Sequence, residues 1–127
     1  MAAFSPAEIG YLTSGRRFGR VATVDATGQP HVVPVGFWRY NAELGTIDIA
    51  GHGLAGTKKF RNVRANPKVA FVVDDMASID PWHPRAVMVQ GRGEAIQGQE
   101  TPFPGSDDGV IRIVPTSVLS WGLEDEG

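Results

Sequence analysis

The sequence predicts a mainly β fold with short helices: a small, closed or nearly closed antiparallel barrel of six strands in a single domain. Three observations lead there. Six runs of β-forming residues alternate or cluster their apolar positions. Sixteen glycines and nine prolines in 127 residues cut the chain into short segments with tight turns. One helical stretch with clear start and stop signals falls between the third and fourth runs, so the sheet is built around an inserted helix. A chain of this length buries roughly two thirds of its unfolded surface, enough for one core and one site. The ordered core is expected over residues 4–123, followed by an acidic tail.

In chain order, Ser5-Pro6-Ala7-Glu8 reads as a capping box with proline at the first helical position. Ile9 and Leu12 supply the buried side of this helix and Gly15 ends it. Residues 18–25, FGRVATVD, alternate as a half-buried strand, and the turn 25–30 leads into a second run, 31–38, to make a β-hairpin. Pro34 cannot donate a ladder bond and Gly36 presents bare backbone, so this second strand is an edge, a surface against which something flat lies, or both. A turn over 41–45 precedes a third strand at 46–50. Gly51-His52-Gly53 then forms a mobile or tightly turned connection whose imidazole could face a site.

Thr57 is a candidate N-cap for the inserted helix, which Pro67 stops. The run 68–75, KVAFVVDD, is a fourth strand, and 76–85 reads as a proline-rich loop with Trp82 and His83 at its tip. Residues 86–97 form a long strand that Gly91 and Gly93 interrupt with a bulge or sharp bend. A loop over 101–108 leads to a last strand at 110–114, closed by Pro115 and followed by the segment 117–123.

The chemistry concentrates at the start of the inserted helix. Lys58 and Lys59 occupy its first turn, beside the positive end of the helix dipole, where cations are locally unfavourable. An anion reverses that sign: a phosphate there meets backbone N–H donors, a hydroxyl and two ammonium groups together. Helical spacing puts Phe60 and Val63 on one face, Lys58, Arg61 and Asn62 opposite, and Lys59 at the edge of the apolar stripe. The competing reading is a solvated basic helix face.

Elsewhere the sequence mainly excludes. With no cysteines and a net charge of −2 there is no thiol chemistry and no global attraction to nucleic acid. No basic start with an apolar run and no membrane-length segment is present, so a cytoplasmic protein is expected. Gly-x-Ser-x-Gly, His-Glu-x-x-His, Gly-x-Gly-x-x-Gly and Gly-Lys-Thr patterns are missing, and His31, His52 and His83 lie far apart. Hydrolase, metal and common nucleotide sites are therefore not indicated. A chain short of reactive groups yet holding a phosphate site borrows its chemistry from a cofactor.

The segments GRVATVDATGQPHVVPVGF, Gly51-His52-Gly53, TKKFRNVRANPKVAFVVDD, PRAVMVQGRGEA and RIVPTSVLSWGL, taken in this order, resemble the pyridoxamine 5'-phosphate oxidase-like split β-barrel family, the FMN-binding split-barrel fold. They are most similar to its actinobacterial branch, which uses the deazaflavin coenzyme F420. The resemblance runs from about Phe4 to Leu123. It implies a homodimer with a cofactor at the subunit interface and a small-molecule substrate. Thr57, Lys58 and Lys59 match phosphate-binding positions, and Val33, Pro34, Val35 and Gly36 match the strand along the tricyclic ring. Gly51 and His52 fall beside the site, Trp82, Arg85 and Trp121 are candidates for lining it, and Arg61-Asn62 match a recurring pair of structural character.

The implied activity is F420-dependent hydride transfer between the deazaflavin C5 and an electron-poor carbon, such as an enone β-carbon. No catalytic residue is assigned, since His52, His83 or water could supply the proton. The chain ends Ser120-Trp121-Gly122-Leu123 where the B6 oxidases carry Arg-x-His, so the resemblance does not extend to vitamin B6 oxidation. After Gly93-Glu94-Ala95 the segment is short, which leaves the cleft open to a bulky substrate. The alternatives are an FMN-dependent oxidase or flavin reductase of the same fold, or a non-enzymatic flavin- or haem-binding protein.

Overall fold

The computed structural model describes residues 2–98 and 109–123. Its strands are β1 (Gly19–Val24), β2 (Pro30–Val35), β3 (Trp38–Asn41), β4 (Thr46–Ile49), β5 (Lys68–Ser78), β6 (His83–Ile96) and β7 (Val110–Trp121). They form one antiparallel sheet in the order β2-β1-β5-β6-β7-β4-β3, curled into a half-barrel with β2 and β3 at its edges. Its concave face closes over Phe60, Phe71, Val73, Val89, Ile49 and Ile111. Helix α1 (Pro6–Thr13) packs on β3 and β6, and α2 (Lys58–Ala65) packs on β1 and β6.

Local chemistry explains most of these elements. The capping box at α1 forms as expected: Ser5 Oγ accepts from the Glu8 N–H, and Glu8 Oε1 accepts from the Ser5 N–H at 2.7 Å. Asn41 ends β3 by accepting from the N–H groups of Glu43 and Leu44, and Gly45, at φ 70°, completes the turn.

Several boundaries differ from the sequence expectation. The fold has seven strands because the run 31–38 breaks at Gly36 and Phe37; β2 stays with β1, and Trp38 starts β3 beside β4. The proline-rich stretch after Asp75 is a hairpin rather than a loop. There β5 continues to Ser78, which pairs with His83, and only Ile79 to Trp82 turn. Pro115 does not end the last strand. It lies opposite Gly91, next to a bulge that leaves Thr116 without a register partner. The bulge falls beside Gly91 as expected, but its extra residue belongs to β7 rather than to the strand that carries the glycines. The loop expected at 101–108 and the acidic tail over 124–127 lie outside the described residues.

One buried charge ties the β3–β4–β7 side together. Asp48, with 4% of its side chain exposed, receives a two-pronged guanidinium from Arg112 at 3.1 Å on each prong. Asn41 Nδ2 and Thr46 Oγ1 donate to the same carboxylate at 2.8 Å each. Burial pushes this carboxyl up, but the bonds from Arg112, Asn41 and Thr46 outweigh it and leave its pKa below the ordinary value. A depressed carboxyl stabilises the fold above the unfolded aspartate pKa and loses that contribution as pH falls through the folded value. Asp48→Ala, which strands the Arg112 charge, is expected to cost about 3–5 kcal/mol in urea unfolding at neutral pH. A loss below about 1 kcal/mol would contradict this role.

Candidate functional site

Helix α2 is launched by a compact local device. Gly53, at φ 61°, opens a 3₁₀ turn over Leu54–Gly56, and Thr57 Oγ1 then donates to the Leu54 carbonyl at 2.6 Å while accepting from the Phe60 N–H at 3.3 Å. The Thr57 hydroxyl is the expected N-cap. Phe60 and Val63 are buried, Lys58 is exposed and Lys59 is half-buried, as the helical spacing requires. Asn62 departs from that spacing. Rather than lying with the polar face it is buried, and its Nδ2 donates to Thr23 Oγ1 of β1 at 3.0 Å. This bond aims the first turn of α2 at the β1–β2 hairpin.

The result is a cleft of about 60 Å³ lined by Lys58, Lys59 and Asn62 from α2, Thr23 from β1, and His31 and Val33 from β2. Pockets that hold a whole ligand run to roughly 300–1,000 Å³. This one has room for an anionic group, not for a ring system. The first turn of α2 has no acidic residue, and among the described residues neither lysine makes an ion pair or hydrogen bond. Burial lowers the Lys59 pKa, so its charge is held at a cost that a bound anion would offset.

Strand β2 forms the other wall. It is an edge, as Pro34 and Gly36 suggested, and its residues alternate: His31 and Val33 face the cleft, opposite Thr23 and Val21 of β1, while Val32 and Pro34 face outward. Val35 belongs to the core, and Gly36 lies beside Phe18 at the opposite end of the strand from His31. The connection 51–53 places His52 in solvent against the Phe37 ring, at 5.9 Å between centroids.

The remaining candidates gather elsewhere in the chain. Arg85 forks onto Asp75 at 2.9 and 2.6 Å, and Asp75 also receives Arg17 at 3.2 Å and the Tyr11 hydroxyl at 2.9 Å. The Arg85 fork first of all holds the Asp75 carboxyl well below the usual carboxylate range, while burial and the bond to Asp75 push Tyr11 up to about 12. Trp82 caps the β5–β6 turn, 72% exposed, and Trp121 lies on β7 opposite Ala86, 46% exposed. His83 Nε2 donates to the Gly122 carbonyl. Thr23 pairs with Val69, and Asp75 with Arg85. At strand rise, roughly 20 Å therefore separates the lysine cleft from this second group within one chain.

Two cleft residues escaped the sequence reading, Thr23 and His31. Each is far in sequence from the lysines, and only the hairpin register and the Asn62 bond bring them together.

The chain matches the family model described as pyridoxamine 5'-phosphate oxidase over residues 5–118. It is 44% identical over 124 residues to a 5a,11a-dehydrotetracycline/5a,11a-dehydrooxytetracycline reductase of Streptomyces rimosus, covering 97% of this chain and 86% of the relative. Among solved structures, an FAD-binding protein from Mesorhizobium loti superposes with a TM-score of 0.67 at 22% identity, over 96% of each chain. A structure titled F420 reductase does so with a TM-score of 0.63 at 24% identity, over 86% of this chain and 94% of that one. At these identities the two structures establish the shared fold.

The α2–β1 bond is open to direct measurement. Asn62→Ala leaves the buried Thr23 hydroxyl unsatisfied and is expected to cost about 1–3 kcal/mol in chemical unfolding. The Asn62→Leu, Thr23→Val double change, which removes both polar partners, should be milder than the single one. Equal losses would mean the bond carries no weight of its own.

Proposed function

The chain belongs to the pyridoxamine 5'-phosphate oxidase family, and we propose that it is an F420-dependent reductase acting on a bulky, conjugated small molecule. The observation that carries this reading is the lysine pair, without a carboxylate among the described residues, at the start of α2 and opening toward the edge strand β2. Lys58, Lys59 and the first N–H groups of α2 would hold the cofactor phosphate. The ring, too large for the cleft, would lie outside it along the strand from Val33 to Gly36.

When bound, the deazaflavin supplies a hydride at C5 to an electron-poor carbon. The chain's own contribution is position. The anchored phosphate fixes one end of the cofactor and the edge strand fixes the plane of the other, so the reacting carbons meet in one orientation. His83 is not placed to give a proton through Nε2, which is engaged by the Gly122 carbonyl. His52 is solvent-facing, and water reaches the same space. Support for a conjugated substrate comes from the Streptomyces rimosus reductase, whose name specifies a dehydrotetracycline.

A homodimer completes this reading. Across the outer face of the sheet the register runs Pro34, Arg20, Val72, Met88, Leu119, and beside it stands Val32. Val32 is 66% and Leu119 54% exposed, and with the Arg20–Asp74 ion pair between them they offer a second copy a largely apolar surface crossed by one salt bridge. Trp82, Arg85 and Trp121 do not approach the lysine cleft within one chain, so a part for them in lining it would require a second copy.

The same cleft would equally take the phosphate of FMN, and the Mesorhizobium loti structure puts an FAD-binding protein on this fold, so the cofactor is decided by titration. F420 is expected to bind at least tenfold more tightly than FMN in side-by-side isothermal titrations; the reverse order would replace the deazaflavin with a flavin. Lys59→Glu should raise the dissociation constant by about tenfold or more, through a lost charge-assisted bond and added repulsion. Unchanged binding in the folded variant would overturn the assignment of the site.

A further inference from the structure

Histidine is the side chain whose charge ordinarily changes near neutral pH, and the lysine cleft holds one, His31, whose surroundings define what such a change would do. The β1–β2 register places it opposite Thr23, facing α2. Its Nε2 lies 3.3 Å from Asp25 Oδ2. Asp25 is itself fixed: its other oxygen accepts from the N–H groups of Thr27 and Gln29 at 2.9 Å each, and from the Thr27 hydroxyl at 2.7 Å. Those bonds, the Thr27 hydroxyl's first, keep Asp25 ionised. A carboxylate only accepts, so Nε2 carries the proton.

We propose that His31 is a third ligand of the anion held by Lys58 and Lys59, one that binds only as the imidazolium, and that Asp25 is its positioning residue. The proposal rests on the phosphate reading of the cleft. With Nε2–H committed to Asp25, the neutral ring offers a ligand nothing but the bare lone pair of Nδ1, which repels a phosphate oxygen. Protonation turns that atom into a charged donor. Among the described residues, the charged groups at the ring are Asp25 from the β1–β2 turn, which favours the imidazolium, and Lys58 and Lys59 from α2, which oppose it; β1 contributes the Thr23 hydroxyl. An anion seated between the lysines and the ring reverses their repulsion. Binding and protonation of His31 are thereby linked, and affinity falls as pH rises through the titration.

The test is isothermal titration of the full-length protein with F420 from roughly pH 5.5 to 8.5, the range that brackets ordinary histidine titration. Wild type, His31→Gln, His31→Lys, Asp25→Asn and Lys59→Glu are compared, so that any titration of the cofactor itself is common to all. Relative to His31→Gln, the wild type should lose affinity by up to about tenfold per pH unit over the upper part of the range. His31→Lys should keep tight binding at high pH, and Asp25→Asn should move the wild-type profile to lower pH. Parallel profiles for wild type and His31→Gln, with Lys59→Glu still weakened, would overturn the role of His31 while leaving the cleft intact. Undiminished binding by folded Lys59→Glu would remove the phosphate reading and this proposal with it.

Discussion

The geometry of the site depends on one buried hydrogen bond, from the Asn62 side-chain amide on α2 to the Thr23 hydroxyl on β1. It sets the rotation and tilt of a two-turn helix against the hairpin. Phe60 and Val63 anchor the same helix by burial, but apolar contacts are non-directional and tolerate small rotations. A donor–acceptor pair does not. Because Asn62 is one helical turn from Lys58 and Lys59, fixing it also fixes where the two ammonium groups point. Gly93, whose position would bring a Cβ within 2.9 Å of both Val63 and Val69, lets the helix sit this close to the sheet.

Against that frame, the handling of charge separates structure from function. Arg112 is matched by Asp48, and Arg17 and Arg85 by Asp75, each in a partly or wholly buried arrangement where an unmatched charge would be expensive. Lys59 is half-buried with no such partner among the described residues, and burial alone shifts its pKa. Stability by itself gives no reason to place it there, next to a second lysine and the positive end of a helix. A ligand anion does. The sheet adds the complementary feature, an edge strand that carries Pro34 and runs past the cleft through His31 and Val33.

Much of this was legible from residue order, because its causes are local. Capping boxes, N-caps and helix stops act within four residues, so α1 and α2 could be read nearly to their ends, and the division between Lys58 outside and Lys59 inward follows from helical spacing alone. Features set by distant partners were not legible. The run HVVPVGFW has no turn signal strong enough to mark the break at Gly36 and Phe37; β3 separates because Trp38 to Asn41 pair with β4. Pro115 looked like a terminator and is accommodated where Gly91 lies opposite and the neighbouring Thr116 bulges out of the same strand. Asn62 looked solvent-facing until Thr23 supplied a buried acceptor. His31 joins the cleft through the same long-range register, which no pattern of nearby residues encodes.

The central claim is that the lysine pair exists to hold the phosphate of a redox cofactor whose ring rests on β2. A crystal structure of the protein with F420 measures this most directly. Phosphate oxygens are expected within hydrogen-bonding distance of the Lys58 and Lys59 ammonium groups, with the tricyclic ring against the backbone from Val33 to Gly36. A phosphate bound away from both lysines, with the cleft at the start of α2 filled only by water, would contradict it.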